Sequence, residues 1–161
     1  MSEDSAESPG TGILPGAAMV GLEVEDAPAV LRALSARLQE IGAVTESFED
    51  AVLRREEKQP TGLPTLVPAA IPHTDPEHVI TPGIAIAVPK DPVAFGAIGS
   101  SGERTIWAEL VVMLVLDDAR SQQIALQSLV ARLQEPESVR GMLAATDEAD
   151  LERCAREWLS G

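Results

Sequence analysis

Leu110-Val111-Val112-Met113-Leu114-Val115-Leu116 is an unbroken apolar run that ends at the acidic pair Asp117-Asp118. Successive side chains of a strand point to opposite faces, so an apolar run without alternation predicts a strand that is buried on both faces. We therefore expect a central strand over residues 109–116, in a sheet with helices packed against both sides. The predicted fold class is α/β, a three-layer sandwich in which helices flank both faces of a mixed β-sheet.

Periodic segments on either side of this run supply the other layers. Helices are predicted where apolar residues recur at helical spacing, over residues 26–41, 45–58, 120–134, 137–144 and 147–159. Shorter strands are predicted over residues 19–24, 69–72, 83–88 and 93–95. For the helix that follows Asp117-Asp118, the predicted core-facing stripe comprises Ile124, Leu126, Leu129, Val130 and Leu133.

Length and composition indicate one domain with a substantial core. The chain has 161 residues, of which 45% are hydrophobic, and this is enough apolar surface for a single globular domain. Residues 1–16 are rich in Ser, Glu, Gly and Pro, so we expect a disordered acidic tail there and a single domain over residues 17–161. The N-terminus lacks the order of a signal peptide and no apolar run reaches about 18 residues, so we expect a cytoplasmic protein.

The charge balance argues against several classes of partner. A formal net charge of −14 opposes the phosphate backbone, and the scarcity of aromatic side chains leaves no platform for stacked bases, so nucleic acid is not an expected partner. The acidic surface suits a basic protein partner or simple solubility. Cys154 is the lone cysteine, so no disulfide framework is expected and its side chain is predicted to be packed.

Pro72-His73-Thr74 is the motif that carries chemistry, because it ends an apolar run from Val67 in a chain with two histidines. A neutral imidazole just past a strand, braced by proline, is predicted to be both exposed and held in one orientation. Those are the requirements for a histidine that accepts a group covalently and passes it on. The alternative is a histidine that only forms a hydrogen bond in a loop.

Other chemistries fit the sequence less well. The segment Gly99-Ser100-Ser101-Gly102 lacks the Lys-Ser/Thr pair of a phosphate-binding loop, and no Gly-x-Ser-x-Gly nucleophile elbow occurs. His73 and His78 are not at the spacing of a helical metal-binding pair, although Asp75 and Glu77 keep a weak metal site open as an alternative. We expect no metal and no cofactor.

A cation and a helix N-terminus are expected to join His73. Arg54 and Arg55 end the second predicted helix shortly before the His73 strand, and a guanidinium can clamp a phosphoryl group with two parallel hydrogen bonds. For Arg54 we favour a solvated pair with neighbouring glutamates. The helix after the central strand should open at the same sheet edge as His73, where backbone amides and Gln122 or Gln123 can bind phosphate oxygens.

Three separated motifs resemble those of a known family. They are Ala51-Val52-Leu53-Arg54-Arg55-Glu56, Thr61-Gly62-Leu63 and Ala70-Ile71-Pro72-His73-Thr74, and similarity continues through residues 93–96, 110–116 and 123–129. In this order and at this spacing they resemble the enzyme IIA component of the bacterial sugar phosphotransferase system. The resemblance is to the fructose/mannitol type and its galactitol-like branch, and it covers about residues 18–160.

This resemblance implies a phosphoryl carrier. In the family, a histidine takes the phosphoryl group on Nε2 from the phosphocarrier HPr and passes it to a cysteine of a separate enzyme IIB. The membrane is involved only indirectly, through the IIB/IIC permease. The acceptor maps to His73, the active-site arginine to Arg55 and the threonine of the Thr-Gly step to Thr61. Gln123 stands where many relatives carry a second active-site histidine, and His78 is expected either to support the phosphate site or to lie on the surface.

The expected function is therefore a step in the uptake of galactitol or a related polyol or sugar. Docking is expected to use apolar surface around His73 with acidic residues at its rim. One alternative is a regulatory domain that accepts a phosphoryl group on His73 and uses that state to control a protein target. The other is a structural domain without phosphoryl chemistry.

Overall fold

The structure is a computed structural model that describes residues 12–160 of the chain. Its strands are β1 (Ile13–Leu22), β2 (Gly62–Leu63), β3 (Ala69–Ala70), β4 (Gly83–Pro89), β5 (Val93–Gly96), β6 (Thr105–Ala108) and β7 (Leu110–Val115). Its helices are α1 (Ala27–Glu40), α2 (Phe48–Lys58), α3 (Ala119–Leu133), α4 (Pro136–Leu143) and α5 (Glu148–Ser160), with a 3₁₀ turn at Pro76–His78.

The apolar run forms the central strand, as predicted. The strand order is β1-β4-β7-β3-β2, with β7 parallel to β3 and antiparallel to β4, so the sheet is mixed. Strands β5 and β6 form a separate antiparallel hairpin. All six residues of β7 are buried, which agrees with a strand covered on both faces.

Alternate residues of β7 enter two hydrophobic cores, one on each side of the sheet. Leu110, Val112 and Leu114 pack against helices α3, α4 and α5. Val111, Met113 and Val115 pack against α1, α2 and the β5–β6 hairpin. The predicted three-layer α/β sandwich is therefore confirmed, and the hairpin belongs to the α1–α2 layer.

The first strand begins earlier than predicted. It starts at Ile13 rather than at residue 19, so the assignment of residues 13–16 to the tail was wrong. Gly16, at a φ of 84°, stands where the pairing of β1 with β4 is irregular, and the side chains of Arg37 and Glu152 bond its carbonyl and amide. The start of this edge strand contains glycine and an irregular register, so its residues do not show the alternation of apolar and polar side chains by which a strand is predicted from sequence. The rest of the predicted tail, residues 1–11, lies outside the described residues.

The β5–β6 hairpin packs against β2, a strand that the sequence pattern did not predict. A side chain at Gly62 would place its Cβ 2.7 Å from the Gly96 oxygen and 2.9 Å from the Ile106 Cβ, so only glycine permits this approach. The amide of Ile98 donates to the Gly62 carbonyl at 2.7 Å. This contact holds Ile98, in the loop that follows β5, next to the segment that leads to His73.

The buried face of α3 is rotated from the predicted stripe. Leu129 and Leu133 are buried as expected, but Ile124 is 56% exposed and its inclusion was wrong. Ala125 and Gln122 take the buried positions instead. The small alanine allows α3 to lie close to the sheet, and a pattern that counts bulky apolar residues does not identify that face.

Candidate phosphoryl-transfer site

His73 follows β3 at the edge of the sheet where the parallel strand β7 also ends. The amide of Leu114 in β7 donates to the carbonyl of Pro72 at 3.0 Å, which fixes the backbone just before the histidine. The Nδ1 atom of His73 lies 2.9 Å from the carbonyl oxygen of Ile71. The side chain is therefore held in one orientation, as predicted. The predicted exposure was wrong, because His73 is only 7% exposed.

The surroundings of His73 favour its neutral form. Burial lowers the pKa of the imidazole, and the Arg55 guanidinium lowers it further, while the Ile71 hydrogen bond and Asp75 act in the opposite direction. A carbonyl oxygen accepts and never donates, so Nδ1 carries the hydrogen in the neutral ring. The lone pair that a nucleophilic histidine requires is then on Nε2.

His73 lies in a cavity of about 500 Å³, here called the His73 cavity. Its other lining residues are Arg55, Gln59, Pro60, Thr61, Ile71, Ile98, Leu126, Gln127 and Val130. They come from the end of α2, the loop before β2, the hairpin and the middle of α3. The cavity combines a cation, a hydroxyl and a largely apolar wall, and this composition suits the binding of an anionic group beside the histidine.

Arg55 is the cation of the His73 cavity, as predicted. Its side chain is 33% exposed, and one guanidinium nitrogen lies 3.4 Å from a carboxylate oxygen of Asp75. The Nε atom is buried and has no hydrogen-bond partner among the described residues. Arg54 faces solvent, as expected, but Glu56, one of the two glutamates expected to pair with it, is buried and bonded to Thr61. Arg55 therefore has donors that remain free for an anion beside His73.

Thr61 also lines the His73 cavity, and it is bound to a residue that sequence reasoning missed. The Thr61 amide and hydroxyl donate to the two carboxylate oxygens of Glu56, each at 2.8 Å. Burial raises the pKa of Glu56 to about 7, although both hydrogen bonds from Thr61 oppose this change. Its position four residues after buried Val52, on the inner face of α2, is the signal that identifies it.

Gln123 does not line the His73 cavity. It is exposed, one helical turn before Gln127, and α3 contributes Leu126, Gln127 and Val130 to the cavity wall instead. Helix α3 does begin at the sheet edge that carries His73, because β3 and β7 are parallel. Its first turn is occupied by Asp118, whose carboxylate accepts from the amide and hydroxyl of Ser121.

His78 lies away from the cavity wall, in the 3₁₀ turn. Its Nδ1 is 2.7 Å from the hydroxyl of Ser47, and its carbonyl accepts the amide of Thr45 at 3.0 Å. These contacts join the turn to the loop between α1 and α2. Among residues 12–160, no three His, Cys, Asp or Glu side chains are grouped so as to hold a metal ion.

Cys154 is half-buried on α5, beside Met142 and Trp158. None of the helices in the described part of the chain combines the length and the apolar character needed to cross a membrane.

Comparisons with known proteins are consistent with one another. The family model described as "Phosphoenolpyruvate-dependent sugar phosphotransferase system, EIIA 2" matches residues 16–156. The galactitol-specific EIIA component of Escherichia coli K12 is 26% identical over 124 residues, which are 76% of this chain and 81% of that protein.

Two solved structures from E. coli share the fold. One is enzyme IIA-mannitol in a complex with phosphorylated enzyme IIB-mannitol, at a TM-score of 0.71 and 21% identity, with 94% of this chain and 99% of that chain covered. The other is the crystal structure of IIA-mannitol, at a TM-score of 0.69 and 20% identity, with 89% and 98% covered. At these identities the likeness concerns the fold alone.

Proposed function

This chain belongs to the EIIA 2 family of the phosphoenolpyruvate-dependent sugar phosphotransferase system, and we propose that His73 is the residue on which it carries the phosphoryl group. The observation that supports this most strongly is the 2.9 Å contact between the Nδ1 atom of His73 and the Ile71 carbonyl. It assigns the hydrogen to Nδ1 and the lone pair to Nε2, in a cavity that also holds Arg55. No other histidine among the described residues has this combination.

The transfer step follows from this geometry. The Nε2 lone pair of His73 attacks phosphorus in line with the phosphorus–nitrogen bond of phospho-HPr, and that bond breaks with its electron pair returning to the donor nitrogen. Burial, which lowers the pKa of His73, keeps the attacking ring neutral near pH 7. The Ile71 carbonyl stabilises the positive charge that the ring acquires when Nε2 is substituted. Catalysis then rests on positioning and on stabilisation of the moving charge.

Arg55 supplies that stabilisation. Its Nε is buried without a partner among residues 12–160, and its ion pair with Asp75 is a long 3.4 Å contact at a half-exposed site. An incoming phosphoryl group offers a better acceptor, because a charge-assisted bidentate contact with a guanidinium is stronger than a single long one. Arg55 is therefore a catalytic residue in the proposal, and Thr61 supports the same wall of the cavity.

The partners are the phosphocarrier HPr as donor and a cysteine of enzyme IIB as acceptor. Ile98 lines the cavity and is 46% exposed, and Asp75, 66% exposed by its side chain, contacts Arg55 of the cavity wall. An apolar patch with an acidic rim suits the basic face of a donor protein. The galactitol-specific relative supports galactitol or a similar polyol as the transported substrate. The regulatory alternative uses the same histidine and ends before the transfer to IIB.

Intact mass spectrometry tests the proposal. Incubation with enzyme I, HPr and phosphoenolpyruvate should add one acid-labile phosphoryl group of about 80 Da. His73→Ala should remain unlabelled while keeping its circular dichroism spectrum. Addition of a galactitol-type enzyme IIB should then remove the group from the wild type. Full labelling of His73→Ala contradicts the assignment, and a label that no IIB removes favours the regulatory alternative.

A further inference from the structure

Glu56 is the buried titratable group that the proposed transfer does not use. It is 8% exposed at the end of α2, and both of its carboxylate oxygens accept from Thr61. A carboxyl in this position costs stability when ionised, and an apolar side chain would pack there at lower cost. Its only hydrogen-bond partner among the described residues is a threonine that lines the His73 cavity, and this links it to the site.

The hydrogen bond between Glu56 and the Thr61 hydroxyl has two possible directions. While Glu56 is ionised, the Thr61 hydroxyl donates its single hydrogen to Oε1 and can only accept hydrogen bonds from other groups. Once Oε1 carries a proton, Glu56 donates to Thr61 Oγ, and the hydroxyl hydrogen is released to turn toward the cavity. Phosphoryl oxygens accept hydrogen bonds, so the second arrangement suits a phosphorylated His73 and the first suits the free histidine.

A second cavity gives solvent a route to Glu56 that does not pass His73. This Glu56 cavity, of about 490 Å³, lies between α1, α2 and the β5–β6 hairpin. The charged residues that line it with Glu56 are Arg32 from α1 and Arg54 and Glu57 from α2, and the hairpin residues that line it carry no charge. Arg55 lies on the opposite side, in the His73 cavity. Protons therefore reach Glu56 from bulk water while the His73 cavity is covered by a partner.

We propose that Glu56 is a positioning residue which acts through Thr61, and that its carboxyl takes up a proton from solvent when His73 becomes phosphorylated. The inference rests on the proposed function, because it needs the phosphoryl group on His73. The phosphoryl group brings negative charge into the cavity that Thr61 lines, and a like charge disfavours an ionised carboxylate. One O–H bond forms on Glu56, the buffer supplies the proton, and no other covalent bond changes. The reoriented Thr61 hydroxyl then donates to the phosphoryl group.

The experiment is a carboxyl-carbon NMR titration of the full chain labelled with 13C-glutamate. Glu56→Gln identifies the Glu56 signal, and intact mass confirms the phosphoryl group before each titration. Unphosphorylated wild type should give a midpoint at the pKa of about 7. After phosphorylation the midpoint should rise by about 0.5 or more in pH. A phosphorylated protein whose Glu56 midpoint does not move overturns the inference alone, whereas the absence of any phosphoryl group overturns the proposed function as well.

Variants of neighbouring residues distinguish the Thr61 link from simple repulsion between charges. Glu57→Gln removes a carboxylate from the same cavity that has no bond to Thr61, and the rise should persist. Thr61→Ser keeps the hydroxyl and should keep the rise, while Thr61→Val should reduce it to less than about half. An undiminished rise in Thr61→Val contradicts the positioning role, because distance-dependent repulsion would then account for the effect. The wild-type titration stands even where a variant is unstable.

Discussion

His73 and His78 lie five residues apart in the chain, but their rings have different hydrogen-bond partners. The Nδ1 atom of His73 faces the Ile71 carbonyl, and that of His78 faces the hydroxyl of Ser47. A carbonyl only accepts, so it determines which ring nitrogen keeps its lone pair, whereas a hydroxyl either donates or accepts and leaves this open. The hydrogen-bond partner of Nδ1 therefore distinguishes His73, whose Nε2 is left as a nucleophile, from His78, which joins two loops.

Replacement of each histidine should show the largest difference. His73→Ala should lose phosphoryl acceptance entirely. His78→Asn keeps a polar side chain beside Ser47 and lies outside the cavity wall, so its transfer rate should fall by less than about tenfold. Rapid-quench measurements with phospho-HPr give both rates. A His78→Asn protein as inactive as His73→Ala would end the contrast and make His78 a second essential group.

Replacement of Arg55 or Arg54 should give the next largest difference in transfer rate. Arg55 lines the His73 cavity and Arg54 faces solvent. Arg55→Gln should slow transfer by at least about tenfold, since a phosphoryl clamp supplies about 2–4 kcal/mol of transition-state stabilisation. Arg54→Gln should leave the rate within about twofold, and both variants should melt close to the wild type. Equal rates for the two variants would show that Arg55 serves only to pair with Asp75.

Much of this site could be predicted because its determinants are local. The Pro-His step after an apolar run predicted a held histidine, a nearby arginine was expected to join it, and the family resemblance added Thr61. Residues whose role depends on packing were not accessible in the same way. Whether Gln123 or Gln127 faces the cavity depends on the rotation of α3 against the sheet, which Ala125 sets. Likewise, the helical spacing from Val52 places Glu56 on the inner face of α2, but its hydrogen bonds to Thr61 depend on how the chain folds back after the helix.

Replacement of Gln123 or Gln127 on α3 should show a smaller effect. Both side chains are exposed, but only Gln127 lines the His73 cavity, where its amide can donate to a phosphoryl oxygen. Gln127→Ala should slow transfer by about threefold to tenfold, the cost of one hydrogen bond made at an exposed position. Gln123→Ala should change it by less than about twofold. The reverse order would restore Gln123 to the site and place Gln127 outside it.

The smallest expected effect is on the pH dependence of the free energy of unfolding. Because burial lowers the pKa of His73, the unfolded chain binds more protons than the folded chain at pH values below about 6.5. The His73 contribution to the free energy of unfolding should therefore fall as pH drops below that value, and His73→Asn should lack it. The contribution of Glu56, whose pKa is raised, has the opposite sign and is common to both proteins. Urea titrations at several pH values measure the difference, which should be at most about 1.4 kcal/mol per pH unit. Parallel curves for the two proteins would indicate that His73 titrates normally in the fold.

The most direct test of the central claim locates the phosphorus atom on the ring. Protein labelled with 15N-histidine and phosphorylated through HPr should show one phosphorus–nitrogen coupling, to Nε2 of His73. The Nδ1 atom should remain protonated, as its hydrogen bond to the Ile71 carbonyl requires. Coupling to Nδ1 of His73, or to either nitrogen of His78, would contradict the account.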